Sequence, residues 1–151
     1  GLYYTNPAFC ELVGDEPAIS SEQLRGVVLH CGYYNTDTVR ATNFPMIADS
    51  IWMMTGEKAF EGTPVGEAMN TVEQITPDYP AVFLDCGDQD PFITQAAELI
   101  DALEQNEVDV TAYLPTSGDT ALQHEFQLLL ETAEGQEAMA RLADFLASHS
   151  E

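Results

Sequence analysis

The sequence is poor in positive charge. Its 151 residues include only four Lys plus Arg against 26 Asp plus Glu, a formal net charge of -22. Nucleic acids and anionic membrane surfaces are held by basic patches, so this balance excludes nucleic acid as a partner. The acids are scattered and not gathered into one run, which describes a strongly solvated surface; a salt-adapted or acidic proteome gives the same signal. No apolar run approaches the length needed to cross a bilayer. The chain does not open on a basic stretch followed by an apolar one, the mark of a secretory leader.

Cysteine is also scarce. Cys10, Cys31 and Cys86 are odd in number and far apart, which fits free thiols buried in a reducing compartment; the expected location is cytoplasmic. No CxxC or Cys/His spacing of a zinc site occurs, and the expectation is no metal and no cofactor. A further absence is a nucleophile elbow. Ser20, Ser21, Ser50, Ser117, Ser148 and Ser150 all lack the flanking glycines of G-x-S-x-G, and so do the cysteines.

What is present is enough apolar material for a core, 45% of residues, in a chain the size of one domain. The run Pro80-Ala-Val-Phe-Leu-Asp-Cys-Gly87 has no polar residue to turn outward until its end, as in a parallel strand covered on both faces. Past Phe92 the period changes: Ala96, Leu99, Ile100 and Leu103 mark one buried face of a helix that ends near Asn106. Val108 to Leu114 then alternates with period two, the pattern of a strand buried on one face near a sheet edge, closed by Pro115. Strand, helix and strand make a βαβ unit whose right-handed crossover brings both carboxyl ends to one sheet edge. There the acidic turn Asp88-Gln-Asp-Pro-Phe92 and the loop from Thr116 to His124 emerge side by side. Sites of open α/β sheets are built on that edge.

A carboxylate and an imidazole meeting there form an orienting pair, the acid holding one ring nitrogen while the other acts as a base. Spacing leaves the acid open among Asp85, Asp88 and Asp90. Asp90 before Pro91 is also a helix-start signature that needs no catalysis. The ligand spacing of calcium loops is absent, as is the strand-DxDx[TV] motif of aspartyl phosphatases. His124 sits in a polar loop, whereas His30 falls within a strand and His149 at a frayed end.

Leu24-Arg-Gly-Val-Val-Leu-His-Cys-Gly32 reads as another buried parallel strand. Leading into it, Gly1 to Thr5 looks like the tail of an element, Asn6-Pro7 a restart, and Phe9 to Val13 a short helix. Residues 33–79 mix Gly, Pro, Thr and Asn with Phe44, Met46, Trp52, Met53, Met54 and Phe60. Pro45 to Thr55 is expected to be a helix on the stripe Ile47, Ile51 and Met54. Such an excursion is long for a plain connection and leaves from the site edge, so it serves either as a cap over that edge or as ordinary core. Glu125 to Leu130 forms a short turn or helix, and Gln136 to His149 a closing helix on Met139, Leu142, Ala143 and Leu146.

Taken together, Leu24 to Tyr34, the Gly-Asp-Gln-Asp-Pro within Pro80 to Phe92, and Gln123-His-Glu-Phe126 before a closing helix resemble the C-terminal half of α/β-hydrolase esterases and lipases. The closest look is to the carboxylesterase or acetyl-esterase group. The resemblance implies a mostly parallel α/β sheet with flanking helices, 1–151 being part of one domain and 33–79 a cap-like insertion. It implies ester hydrolysis through a serine acyl-enzyme, in the order Ser, Asp, His. The family's acid falls three residues after the strand-ending glycine, on Asp90, and the histidine of its H-x-F loop falls on His124. The elbow, the oxyanion-hole loop and the first strands are missing, and Gly1 to Thr5 would lie in the helix after the elbow. The implied partners are a small ester substrate and the missing N-terminal half, with self-association through the open sheet. The chain alone is expected to be inactive. The alternatives are a noncatalytic binding domain on the same scaffold, or a peptidase or other acyl hydrolase.

Overall fold

A computed structural model of the chain describes residues 1–118 and 121–150, with the side chains of Leu12 and Val13 outside the description. Asp119 and Thr120, part of the predicted histidine loop, lie outside the described residues.

Three short strands make the centre: β1 (Val27–His30), β2 (Val82–Asp85) and β3 (Val110–Tyr113). They pair in the order β1-β2-β3, all parallel, with Val27 beside Val82 and Val82 beside Val110. The co-directional geometry expected of the βαβ unit is therefore present. Every residue of β2 is buried, as its unbroken apolar run requires. β3 lies at one end of the sheet, as its alternation predicts. β1 departs from expectation: it is parallel but only half-buried, because among the described residues it pairs with β2 alone.

The helices are α1 (Leu2–Thr5), α2 (Pro7–Val13), α3 (Ile47–Thr55), α4 (Pro64–Met69), α5 (Ile93–Gln105) and α6 (Ala133–His149). Asn6 separates α1 from α2 and caps the latter, its side chain accepting from the amides of Ala8 and Phe9, with Pro7 at the first helical position. The stripe read on α5 is its buried face: Ala96, Leu99 and Leu103 pack with Val82 and Leu84, and Ile100 joins from the margin. The opposite sheet face carries α6, whose Phe145 ring lies 5.9 Å from that of Phe83. Burial on α6 runs through Gly135, Ala138 and Phe145, one residue off the predicted stripe; Ala143 and Leu146 are exposed and Met139 and Leu142 half-buried. Phe145 is the largest side chain on the helix, and seating its ring on the sheet sets the rotation. His149 is not frayed: its ring stacks at 4.3 Å on Phe145 and its Nε2 lies 3.2 Å from Asp109.

Within 33–79, Val39, Ile47, Ile51 and Phe60 form a small core of their own with Phe92, while Tyr34, Ile75 and Tyr79 belong to the main core. The predicted helix exists as α3, but Met54 is exposed together with Met46 and Met53. Three of the four basic side chains lie over aromatic rings, Arg40 on Phe60, Lys58 on Trp52 and Arg141 on Tyr113, and so are spent on local clamps.

One interaction on the sheet was not expected. Asp85, fully buried on the central strand, accepts from Nδ1 of His30, its register partner, at 2.8 and 2.9 Å. The hydrogen bond to Asp85 lifts the His30 pKa above its ordinary 6.5, with burial pulling the other way. A group raised in the folded state adds stability that is complete below its unfolded value and is lost as pH rises through the folded one. The unfolding free energy of His30→Gln should therefore fall furthest below the native chain at and below about pH 6.5, the gap shrinking as pH rises above that value. Denaturant titrations on both sides of that value check this; a gap that is constant or widens with pH above it contradicts it.

Candidate functional site

The end of β2 and the acidic turn after it carry three carboxylates within six residues, and each is committed to a different partner. Asp85 holds His30. Asp88 clips the histidine loop: its Oδ2 accepts from the amide and hydroxyl of Ser117 at 2.8 and 2.6 Å, and its Oδ1 from the amide of Leu122 at 3.4 Å. The Ser117 hydroxyl and then its amide hold the Asp88 carboxyl below its ordinary value. Asp90 alone reaches His124, whose Nδ1–H donates to Asp90 Oδ2 at 2.8 Å across 34 residues of sequence.

Asp90 is 2% exposed, so its charge needs partners inside the protein. Its second oxygen accepts from the Phe92 amide at 2.7 Å, forming a turn ahead of α5. The predicted capping role is thus displaced: Asp90 precedes the helix, and Phe92 occupies the cap position. Pro91 leaves the amide of Phe92 as the donor aimed at the carboxylate.

Backbone contacts fix the two loops against each other. The Gln89 amide donates to the Leu122 carbonyl at 3.1 Å. Gly87 lies so close to this turn that an added Cβ would collide with the Leu122 carbonyl and stand 3.0 Å from the oxygen of Gln123. The glycine that ends the strand is also what lets the histidine loop approach. Glu125 then takes a left-handed conformation, φ 62°, which turns the chain into a 3-10 turn at Phe126–Leu128.

The His124 ring is 34% exposed and is held between apolar rings, with Phe92 at 5.6 Å and Phe44 at 5.2 Å. Phe44 comes from the 33–79 excursion, so that segment packs directly on the candidate base. The excursion is anchored where it leaves β1: the fully buried Gln95 of α5 accepts from the amides of Tyr34 and Asn35 at 2.9 and 2.8 Å and donates to Thr38 at 2.6 Å. Glu98 accepts from Asn35 and Thr38 at 2.8 Å. Sequence reading missed both residues, since a polar side chain on a helix gives no sign that loop amides require it.

Cys31 was read as a buried packing thiol, and it is buried. It also stands at the site. Its chain direction is left-handed, φ 47°, at the end of β1, and its Sγ and ligand atoms of Asp90 and His124 all lie within 4.8 Å of one another. Its thiol donates to Gln127 Oε1 at 3.5 Å. Contact with the Cys31 thiol, then burial, pushes the Cys86 thiol up from its ordinary value. A separate open cleft of about 1300 Å³ is lined by Tyr3, Tyr4, Asn6, Asp15, Glu22 and Asp78, remote in the chain from these groups.

No protein-family model matches the chain, and no curated protein does. Among solved structures it is similar to esterase B from Lactobacillus rhamnosis, with TM-score 0.71, 21% identity, 97% of this chain covered and 46% of that one. It is likewise similar to an SN3-inhibited form of the same esterase, with TM-score 0.68, 19% identity and coverages of 97% and 47%. The chain spans about half the length of these structures. At this identity the likeness concerns the fold: a parallel α/β sheet with flanking helices, part of an α/β-hydrolase fold.

Two glycines separate fit from flexibility. Gly87→Ala should lower the unfolding free energy by about 1–3 kcal/mol, the usual cost of forcing atoms into a packed site. Gly118→Ala, in the histidine loop that Gly87 faces, adds a methyl that meets nothing within 4 Å among the described residues and should change stability by less than about 0.5 kcal/mol. Denaturant unfolding of both variants checks this, and equal effects would contradict the close approach at Gly87.

Proposed function

We propose that this chain is the acid and histidine portion of a serine ester hydrolase acting on a small carboxylic ester. The observation that carries the reading is the 2.8 Å contact between a buried Asp90 and a half-exposed His124 at the carboxyl edge of a parallel sheet. The likeness of fold to solved esterases supports it.

In this reading Asp90 fixes the ring orientation of His124 by holding Nδ1–H, which leaves Nε2 as the basic atom. Nε2 removes the proton of a serine hydroxyl as that oxygen attacks the ester carbonyl. The resulting imidazolium, stabilised by the Asp90 carboxylate, returns the proton to the departing alkoxide. Water then repeats the cycle on the acyl-enzyme, with His124 again as base. The serine and the oxyanion donors belong to the part of the domain outside this sequence. That part would continue the sheet at the free edge of β1 and cover exposed apolar side chains such as Leu128, Leu129 and Leu130.

The excursion 33–79 acts here as a cap. Phe44 already contacts the base, and the exposed Met46, Met53 and Met54 give the same segment an adaptable apolar surface. A short acyl or alkyl group is the substrate part such a wall receives.

The test is turnover of a short-chain aryl ester by the longer chain that carries this segment and its serine. His124→Ala and Asp90→Asn should each lower kcat by about 10³–10⁴-fold with folding retained. The 151-residue chain alone should show no active-site-specific turnover. Native-like kcat in either variant, or His124-dependent hydrolysis by the isolated chain, would overturn the assignment. An unaffected small-ligand affinity with no turnover in the longer chain would identify a binding domain on the same scaffold.

A further inference from the structure

The group Cys31, Asp90 and His124 joins a sulfur, an oxygen and a nitrogen donor, brought together from the ends of three strands and turns. Their ligand atoms lie within 4.8 Å of one another. Ligands around a tetrahedral zinc ion, at about 2.0–2.3 Å from the metal, stand roughly 3.3–3.8 Å apart, so small side-chain movements close this set. Cys31 and Asp90 are buried, at 4% and 2% exposure, while the imidazole reaches solvent. An ion entering past the His124 ring would find an inner face of thiolate and carboxylate and keep an outer position for water.

We propose that Cys31, Asp90 and His124 form a three-ligand site for one thiophilic divalent cation of the zinc class. The donor set selects such ions over magnesium and calcium, which favour all-oxygen sites. Binding exchanges the Nδ1 proton of His124 for the ion: Nδ1 and Asp90 Oδ2, 2.8 Å apart across their hydrogen bond, both turn to the metal, while Asp90 Oδ1 keeps the Phe92 amide. Cys31 gives up only a weak thiol hydrogen bond to Gln127. Metal binding displaces the Cys31 thiol proton to solvent, and the ion's charge offsets the resulting thiolate and the Asp90 carboxylate. Binding needs nothing from an ester reaction. If His124 is the base proposed above, an occupied site also withholds it from proton transfer, and that consequence alone rests on the earlier reading.

The experiment is a cobalt(II) titration of the purified chain in excess magnesium, which occupies the acidic surface. Absorbance should develop a thiolate-to-cobalt charge-transfer band that saturates at one equivalent, and zinc should displace it. Cys31→Ser should remove the band and Cys10→Ser should leave it. His124→Gln, at the exposed ligand, should weaken binding by about tenfold or more without touching the buried core. Circular dichroism shows whether each variant folds. If Cys31→Ser does not fold, the His124→Gln titration and a shift of the His124 ring resonances on adding zinc decide the matter. No band at one equivalent, a band that survives in Cys31→Ser, or His124→Gln binding as tightly as the native chain would overturn the site. None of these readouts involves turnover, so failure here leaves the hydrolase reading to its own assay.

Discussion

A buried carboxylate must find its hydrogen bonds inside the protein or give up its charge, and Asp90 meets this demand with two donors, the Phe92 amide and the His124 ring. One donor is local and comes with the turn that starts α5. The other lies 34 residues on and is available only if β2 and β3 run the same way and end at the same level. The parallel register, the glycine at 87 and the Asp88 clip all serve that meeting. Removing any one strands a buried charge, which costs more than the contact itself contributes.

The neighbouring pair of Asp85 and His30 shows what distinguishes the candidate site from a support. Both pairs use Nδ1 at similar distances. His30 and Asp85 face each other within regular strands, where the ring lies against Phe83 at 6.2 Å. Asp90 and His124 sit in loops past the strand ends, between aromatic rings from α5's entry and from the 33–79 excursion, with a thiol alongside. Loops held by a rigid sheet are where chemistry is placed. Left-handed residues at Cys31 and Glu125 bracket the same space, a cost of order 1–2 kcal/mol each that packing must offset.

Much of this was legible in the residues. The uninterrupted run through Val82 and Leu84 and the alternation from Val108 gave strand type and sheet position, because burial on two faces or one leaves a different period. The face of α5 was legible for the same reason. Topology brought the acidic turn and the histidine loop to one edge but left the acid open among Asp85, Asp88 and Asp90, and only the resemblance pointed to Asp90. Three other features were not legible. The rotation of α6 depends on where Phe145 seats, a tertiary matter. The roles of Gln95 and Glu98 depend on loop amides some 60 residues earlier. The place of Cys31 beside the imidazole depends on three separate strand ends converging, which no local spacing encodes.

The most direct measurement is the tautomer of His124 in the folded chain, read from nitrogen-15 shifts of its ring at a pH where the ring is neutral. The expected result is a proton on Nδ1, strongly deshielded by Asp90, with Nε2 bare, and loss of that deshielded resonance in Asp90→Asn. A ring protonated on Nε2, or one averaging freely between the two forms, would contradict it.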